Sequence, residues 1–372
     1  MNESVLTNSG VYGIMIPTVT GGFVCPSNNL MNKKEGNLML KAGLIGCGSM
    51  GGGHLGNYYR FNREGDLLTL TCVCDIRRER LDTVKQDTGE IRLYEDLDEM
   101  LANEELDMVT IALPTYLHKW AAIKCLERGI HVLCEKPMAL TVEDCDEMIA
   151  AAKAADRQLL IGQVLRFEGN YQYLKKLVDE KTWGDVVSVR FTRSSSAHAP
   201  MGWNNWFLTK ELSGGGLYDL HIHDADMIRC VLGNPRAVTA MTRTSFEGSK
   251  NDAFAGIFHY DGTVVCAESD WSWKGMPFTA DFVVNFERAT LQLRRGTLEL
   301  GTYEKGLEAV DLTAIPGINT DNPYYSETKY LAECIRDGKE NTFNPAFESR
   351  ETIRLLHTIE ESGNQGGKTV QF

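Results

Sequence analysis

The feature that most restricts how this chain can fold is a turn of three glycines set directly behind a short apolar run. Leu40–Ile45 is the run, and Gly46-Cys47-Gly48-Ser49-Met50-Gly51 follows at once. In a G-x-G-x-x-G turn the first glycine permits the tight bend. The second lets the backbone approach a pyrophosphate, and the third lets the next helix pack closely on the strand. The helix N-terminus then offers N–H donors and the positive end of its dipole. Glycine-rich turns are common, so context decides. A second strand is predicted over Leu67–Cys74, and it ends in Asp75, near the usual spacing for the acid that binds a ribose. Strand, glycines and acid together predict a dinucleotide site built from Gly46, Gly48, Ser49, Met50, Gly51, Asp75, Ile76 and Arg77. A carboxylate at 75 repels a 2′-phosphate and favours NAD, while Arg77 and Arg78 leave NADP open.

The alternation continues. Helices are predicted at Leu81–Gln86, Tyr94–Leu101 and His118–Arg128, and strands at Asp107–Leu113 and Ile130–Cys134. Strands alternating with helices over short connections imply a doubly wound parallel sheet of the Rossmann type. Ligands of such sheets bind at the carboxyl ends of the strands. Leu113, Pro114, Thr115, Glu135 and Lys136 fall at such ends, with His118 close behind, and all six join the cofactor-site candidates.

Composition narrows the function. The 372 residues are 43% hydrophobic and 24% charged, ordinary for a globular chain of about two domains. A net charge of −13 argues against nucleic-acid or anionic-membrane binding. No run approaches the ~18 apolar residues of a membrane span. The ten cysteines form no C-x-x-C pair and several sit in apolar runs, so they read as reduced, buried thiols of a cytoplasmic protein without a zinc site.

Residues 1–38 show no helical or alternating period and no signal-peptide pattern. They read as a flexible arm, a segment wrapping a neighbouring subunit, or a leader outside the natural protein. Lys34-Glu35-Gly36 can be encoded by a purine-rich ribosome-binding sequence just ahead of Met39, which points to translation from Met39.

At Glu135-Lys136-Pro137 the sequence resembles the glucose–fructose oxidoreductase / inositol dehydrogenase / MocA family of NAD(P)-dependent oxidoreductases. The matching segments run in order: LIGCGSMG, ALPTYLH, GIHVLCEKPMAL, LIGQVLRFEGNYQYLKKLV, SGGGLYDLHIHDADMIRCVLG and the C-terminal NPAFESRETIRLLHTIEESGNQGGKTV. The resemblance implies a Rossmann domain over 39–162 and, over 163–372, an α/β domain on a large, mostly antiparallel open sheet used for substrate and for oligomerisation. Strands predicted at Val186–Thr192, Ala237–Thr242, Ala253–Tyr260, Gly262–Trp271, Phe282–Asn285 and Ala289–Arg294 are compatible with it. So are a hairpin turn at Asp261-Gly262 and closing helices at Tyr325–Arg336 and Phe347–Gly363. An open sheet face implies a dimer or tetramer.

A helix is predicted over Leu217–Leu232, with Asp219 and His223 four apart on one face. By resemblance these are the family's paired acid and histidine. Oxidising a secondary alcohol removes a hydride from carbon and a proton from oxygen, which asks for a base and for a cation near the developing alkoxide. The expected roles are His223 as acid/base, Lys136 as polariser of the hydroxyl, and Asp219 as orienter or substrate ligand. A lone histidine would sooner be a core residue, and a lone lysine a surface charge. The resemblance further suggests Arg166 as a substrate contact, against the alternative of a structural ion pair. Trp203 and Trp206 are candidates for stacking on a sugar ring, with Asn204, Asn205 and His198 as hydrogen-bonding neighbours; ordinary packing is the alternative. His221-Ile222-His223-Asp224 invites a metal reading. On a helix, however, His221 and His223 point about 200° apart, and Ala225 stands where a further ligand belongs, so no metal is expected. His221 is expected to reach the substrate pocket or the layer behind it. The expected reaction is oxidation of a ring hydroxyl of a sugar, glycoside or cyclic polyol by hydride transfer to NAD. The alternative is an enzyme with tightly bound, recycled NAD that transforms glycosides through a transient keto-sugar.

Overall fold

The computed structural model describes residues 39–198 and 201–372. The expectations about residues 1–38 lie outside them. The first half runs β1 (Leu40–Ile45), α1 (Ser49–Glu64), β2 (Leu68–Cys74), α2 (Arg78–Leu81), β3 (Arg92–Tyr94), α3 (Leu97–Asn103), β4 (Met108–Ile111), α4 (His118–Glu127), β5 (His131–Glu135), α5 (Val142–Ala155) and β6 (Leu159–Gly162). Its six strands are parallel in the order β3-β2-β1-β4-β5-β6. All four residues of β4 and of β6 are buried, as a sheet covered on both faces requires. The strand order reverses between β1 and β4, which opens a crevice at their carboxyl ends.

Two helix predictions shift for local reasons. The helix expected at Leu81–Gln86 stops at Leu81. Beyond it the Gln86 amide closes a loop by pairing with both the N–H and the carbonyl of Ile91, at 2.7 and 2.9 Å. The helix expected from Tyr94 starts at Leu97 because Asp96 caps it, accepting from the Glu99 N–H. Tyr94 belongs to β3 instead.

The second half runs α6 (Gly169–Asp179), β7 (Val186–Ser194), α7 (Lys210–Ser213), a π-helical turn (Leu217–His221) leading into α8 (Ile222–Leu232), β8 (Ala237–Arg243), β9 (Ala253–His259), β10 (Val264–Asp270), β11 (Thr279–Phe286), β12 (Thr290–Arg294), β13 (Thr297–Thr302), β14 (Gly306–Ala309), α9 (Pro323–Asp337), α10 (Ala346–Asn364) and β15 (Val370–Gln371). Nine strands form one sheet in the order β14-β13-β12-β11-β7-β10-β9-β8-β15, antiparallel except for the β7–β10 pair. Asp261-Gly262 joins β9 to β10 as a hairpin turn. Val238, Ala240, Phe254 and Phe258 lie in one apolar core with Ile353, Leu356 and Ile359 of α10 and Ile228 of α8. On the opposite face Met241, Ile257 and Val264 are exposed.

Helix α9, late in the chain, returns to the parallel sheet. Tyr325 stacks on Phe61 of α1 with ring centroids 4.2 Å apart. Leu331 and Ala332 join the core of Leu40, Leu68 and Leu133.

Candidate active site

The glycine turn is built as a diphosphate requires. Gly46 has φ +93°, and a Cβ there would stand 2.6 Å from the Ala112 carbonyl oxygen. A Cβ on Gly51 would stand 1.9 Å from the Gly46 oxygen, so only glycine lets α1 sit this close to β1. Gly48 faces open space, with nothing within 4 Å of where a Cβ would be. Ser49 and Met50 are exposed at the start of α1. The first turn of α1 carries no acidic residue and no capping side chain, so its N–H groups are left for an anion. Asp75 is buried at the end of β2, and one carboxylate oxygen accepts from the Cys47 N–H at 2.7 Å, locking acid and turn together. The other accepts from the Arg77 N–H at 2.9 Å. Ile76 is 67% exposed beside them. These residues fit the dinucleotide they were expected to hold.

At the end of β4, Leu113 and Pro114 are half-buried and Thr115 is buried in a 3-10 turn, Thr115–Leu117. His118 is corrected. It is 1% exposed, with Nδ1 2.8 Å from the Pro137 carbonyl and Nε2 2.8 Å from the Leu113 carbonyl. Burial holds its pKa below the ordinary imidazole range. Both ring nitrogens face backbone carbonyls, and the single N–H of the neutral ring donates to one of them, so His118 packs between the β4 and β5 ends rather than facing a cofactor.

Glu135 is likewise turned inward, accepting from His54 Nε2 at 2.7 Å and from the Lys136 N–H at 3.2 Å. Glu327 of α9 completes a fully buried group in which a ligand atom from each of His54, Glu135 and Glu327 lies within 4.8 Å of the others. Burial and the Glu135 charge raise the Glu327 carboxyl well above its usual range, which makes it the neutral partner. Burial alone would raise Glu135 too, but its bond with His54 and the charges of His54 and Lys136 hold it below. The sequence marks neither His54 nor Glu327, because nothing local reveals that α9 returns to the EKP strand.

Lys136 follows Glu135, and its peptide bond to Pro137 is cis. Its Nζ donates to Asp219 twice, to the carboxylate Oδ1 and to the backbone carbonyl, both at 2.8 Å. Asp219 lies in the π-helical turn, a local widening that recurs at functional sites. The turn starts after Gly215 and Gly216. Gly215 has φ +76°, and a Cβ there would stand 1.9 Å from the Lys250 oxygen. His223 is half-buried one turn on. Its Nδ1 is buried without a hydrogen-bond partner among the described residues. Burial first, and then the charges of Lys136 and Arg193, push its pKa well below the ordinary range. The imidazole is therefore held in its neutral form, near the Lys136 ammonium. Lys136 and Asp219 are in direct contact, and His223 lies within reach of the Lys136 charge.

Four other candidates, Arg166, Trp203, Trp206 and His221, make contacts of their own. Arg166 is 6% exposed and forms a bidentate pair with Asp226, at 2.7 and 2.8 Å. The ion-pair alternative holds, and the expected substrate contact is withdrawn. Trp206 stacks on Phe207 at 3.9 Å, and the Trp203 ring lies 5.6 Å from the Arg77 guanidinium. His221 is 0% exposed, with Phe254 and Phe258 at ring-centroid distances of 4.2 and 6.1 Å, so it reaches no pocket. Arg193, missed in the sequence, lies behind His223 in a buried pair with Asp224 at 2.9 Å.

A Rossmann sheet with a glycine turn shaped for a diphosphate, a buried acid after β2, and a Lys–Asp–His group drawn from both halves of the chain fits a dinucleotide-binding protein of the α/β class. Residues 40–163 match the family described as "Oxidoreductase family, NAD-binding Rossmann fold", and residues 171–292 match "GFO/IDH/MocA C-terminal domain". The chain belongs to the Gfo/Idh/MocA oxidoreductase family. Among curated proteins it is 34% identical over 208 residues to a 2,7-anhydro-N-acetylneuraminate hydratase of Escherichia coli, covering 54% of this chain and 52% of that one. It is 32% identical over 194 residues to a myo-inositol 2-dehydrogenase of Thermotoga maritima, covering 52% and 55%. The chain thus spans about half the length of the curated relatives it matches. In fold it is similar to an aldose–aldose oxidoreductase of Caulobacter crescentus solved with glycerol, with a TM-score of 0.78 at 24% identity over 90% of this chain and 100% of that one.

Proposed function

We propose that this protein oxidises a ring hydroxyl of a sugar, glycoside or cyclic polyol to a ketone. The observation that carries the proposal is the Lys136 ammonium, fixed by two bonds to Asp219 beside a neutral His223. Nicotinamide, when bound, supplies the hydride acceptor. His223 takes the hydroxyl proton on its imidazole. Lys136 stabilises the oxygen as it becomes negative, and preorganised charge of this kind is commonly the largest catalytic contribution. Asp219 holds Lys136 in place and offers its second carboxylate oxygen to a neighbouring hydroxyl. Glu135 holds the Lys136 backbone from below. The relatives named for anhydroneuraminate and for myo-inositol support a sugar or cyclic polyol as the substrate class. The former, named a hydratase, also favours the second reading, in which NAD stays bound and is restored within each cycle.

The deciding experiment pairs denaturing mass spectrometry for bound NAD(H) with a panel of sugars and polyols, followed by nicotinamide absorbance. NADH released by a panel member supports the dehydrogenase. Turnover without added cofactor by protein that copurifies with NAD supports the recycling enzyme. In either case Lys136→Met should lower kcat by about a hundredfold or more. Unchanged kcat sinks the assignment. The exposed face of the nine-stranded sheet supports a homodimer or tetramer. The nine cysteines among the described residues are all free, which supports a reducing, cytoplasmic location.

A further inference from the structure

A segment of the second half crosses to the cofactor end of the first. Trp203–Leu208 is an irregular helical stretch with Asn204 and Asn205 at φ +51° and +58°, preceded by Gly202 at φ +73°. A side chain at 202 would meet Trp206 Nε1 and Phe207 at 2.8 Å. The Asn205 side chain accepts from the Met201 N–H at 2.8 Å, and the Ser213 hydroxyl donates to the Phe207 carbonyl at 2.6 Å. Phe207 and Leu208 pack with Leu220 and Trp271. The segment is therefore braced from beneath, yet Trp203 remains 43% exposed, and its ring stands 5.6 Å from the Arg77 guanidinium.

Strand order gives that contact its meaning. Arg77 follows β2, and α7, at the far end of the segment, packs on the Thr115–Leu117 turn that follows β4. In the sheet β1 lies between β2 and β4. A segment that touches the connections after both neighbours passes over the glycine turn after β1. At its Arg77 end it stands beside Asp75, where the ribose of the adenosine moiety is expected.

We propose that Trp203 and Arg77 form a clamp for the adenine ring of the dinucleotide, and that residues 201–213 strap the cofactor into its crevice. An indole and a guanidinium together offer a π face and a cation to a flat, electron-rich base. The inference rests on the dinucleotide reading and extends it: the cofactor leaves slowly because the second half of the same chain must first let go of it.

The test uses the full chain. NADH release is followed by displacement in stopped flow for wild type, Trp203→Ala and Trp203→Phe. Equilibrium binding of reduced nicotinamide mononucleotide, which lacks adenosine, is measured alongside. Trp203→Ala is expected to speed NADH release about ten- to a hundredfold. Trp203→Phe should recover most of the loss, and the mononucleotide should bind all three proteins equally. Unchanged NADH release in Trp203→Ala overturns the clamp, as does equal weakening of NADH and mononucleotide. A raised KM for the sugar with NADH release unchanged would return Trp203 to the substrate and overturn it too. Wild type that binds no NADH removes the dinucleotide reading itself, and the clamp with it. A thermal melt of Trp203→Ala matching wild type separates these results from misfolding.

Discussion

At the scale of single residues, two histidines set two apart have opposite surroundings. His223 looks toward Lys136, whereas His221 is sealed among Phe254 and Phe258 with both ring nitrogens unpartnered. Burial, helped by the Arg193 charge, pushes the His221 pKa down to about 3, against ~6.5 in an unfolded chain. Between those values the unfolded chain holds a proton that the folded chain lacks. Stability therefore falls as pH drops through that window, by up to roughly 1.4 kcal/mol per unit for this group. His221→Phe removes the proton site and two buried unpaired nitrogens. At neutral pH it should be as stable as wild type or more stable by about 1 kcal/mol. In urea melts its advantage should widen as pH falls below ~6, and an unchanged pH slope would sink the account. Lys136, Asp219 and His223 stand out in the sequence because short motifs carry them, and the structure brings Lys136 to Asp219. Arg166 does not: its fate depends on Asp226, sixty residues away in the chain, and no local pattern reveals that pairing.

Among elements, the glycine turn was the most legible, because its constraint is steric and lies within six residues. It yields a sharp prediction. Gly51→Ala places a Cβ against the Gly46 oxygen, so α1 must lift from β1. The variant should lose about 2 kcal/mol or more of stability and bind NADH poorly in a fluorescence titration. Gly56→Ala, in the same helix but facing open space, should gain up to about 1 kcal/mol. Equal behaviour of the two would count against the close-packing argument. Less legible elements are short or polar. β3 spans three residues and β14 is exposed throughout, so neither shows an apolar period. The π-helical turn also escaped notice, since Leu217–Leu232 reads as one regular helix. Only its register against Lys136 shows that the widening sets the Asp219 carbonyl and carboxylate around one ammonium.

For the whole molecule, the doubly wound sheet followed from alternation, and the large second sheet from family resemblance. The face of that sheet left exposed among the described residues carries a testable consequence. Met241, Ile257 and Val264 stand exposed on three adjacent strands at 58%, 51% and 66%. Clustered apolar residues on a flat sheet face mark an association surface. Ile257→Glu should shift sedimentation from dimer or tetramer toward monomer while leaving the melting temperature of the protomer nearly unchanged. A wild-type protein that sediments as a monomer would end the proposal. Helix α9 bears on a different matter, the timing of assembly. It donates Tyr325, Leu331 and Ala332 to a core that begins at Leu40, and the Tyr325 hydroxyl bonds Glu64. Synthesis proceeds from the N-terminus, so a nascent nucleotide fold emerges from the ribosome with one wall missing. It waits for some 160 further residues, β6 to α9, before that wall arrives. A gene cut at the seam between the halves would strand Phe61 and Leu68 in water, and such a fragment should bind chaperones more than the intact chain does.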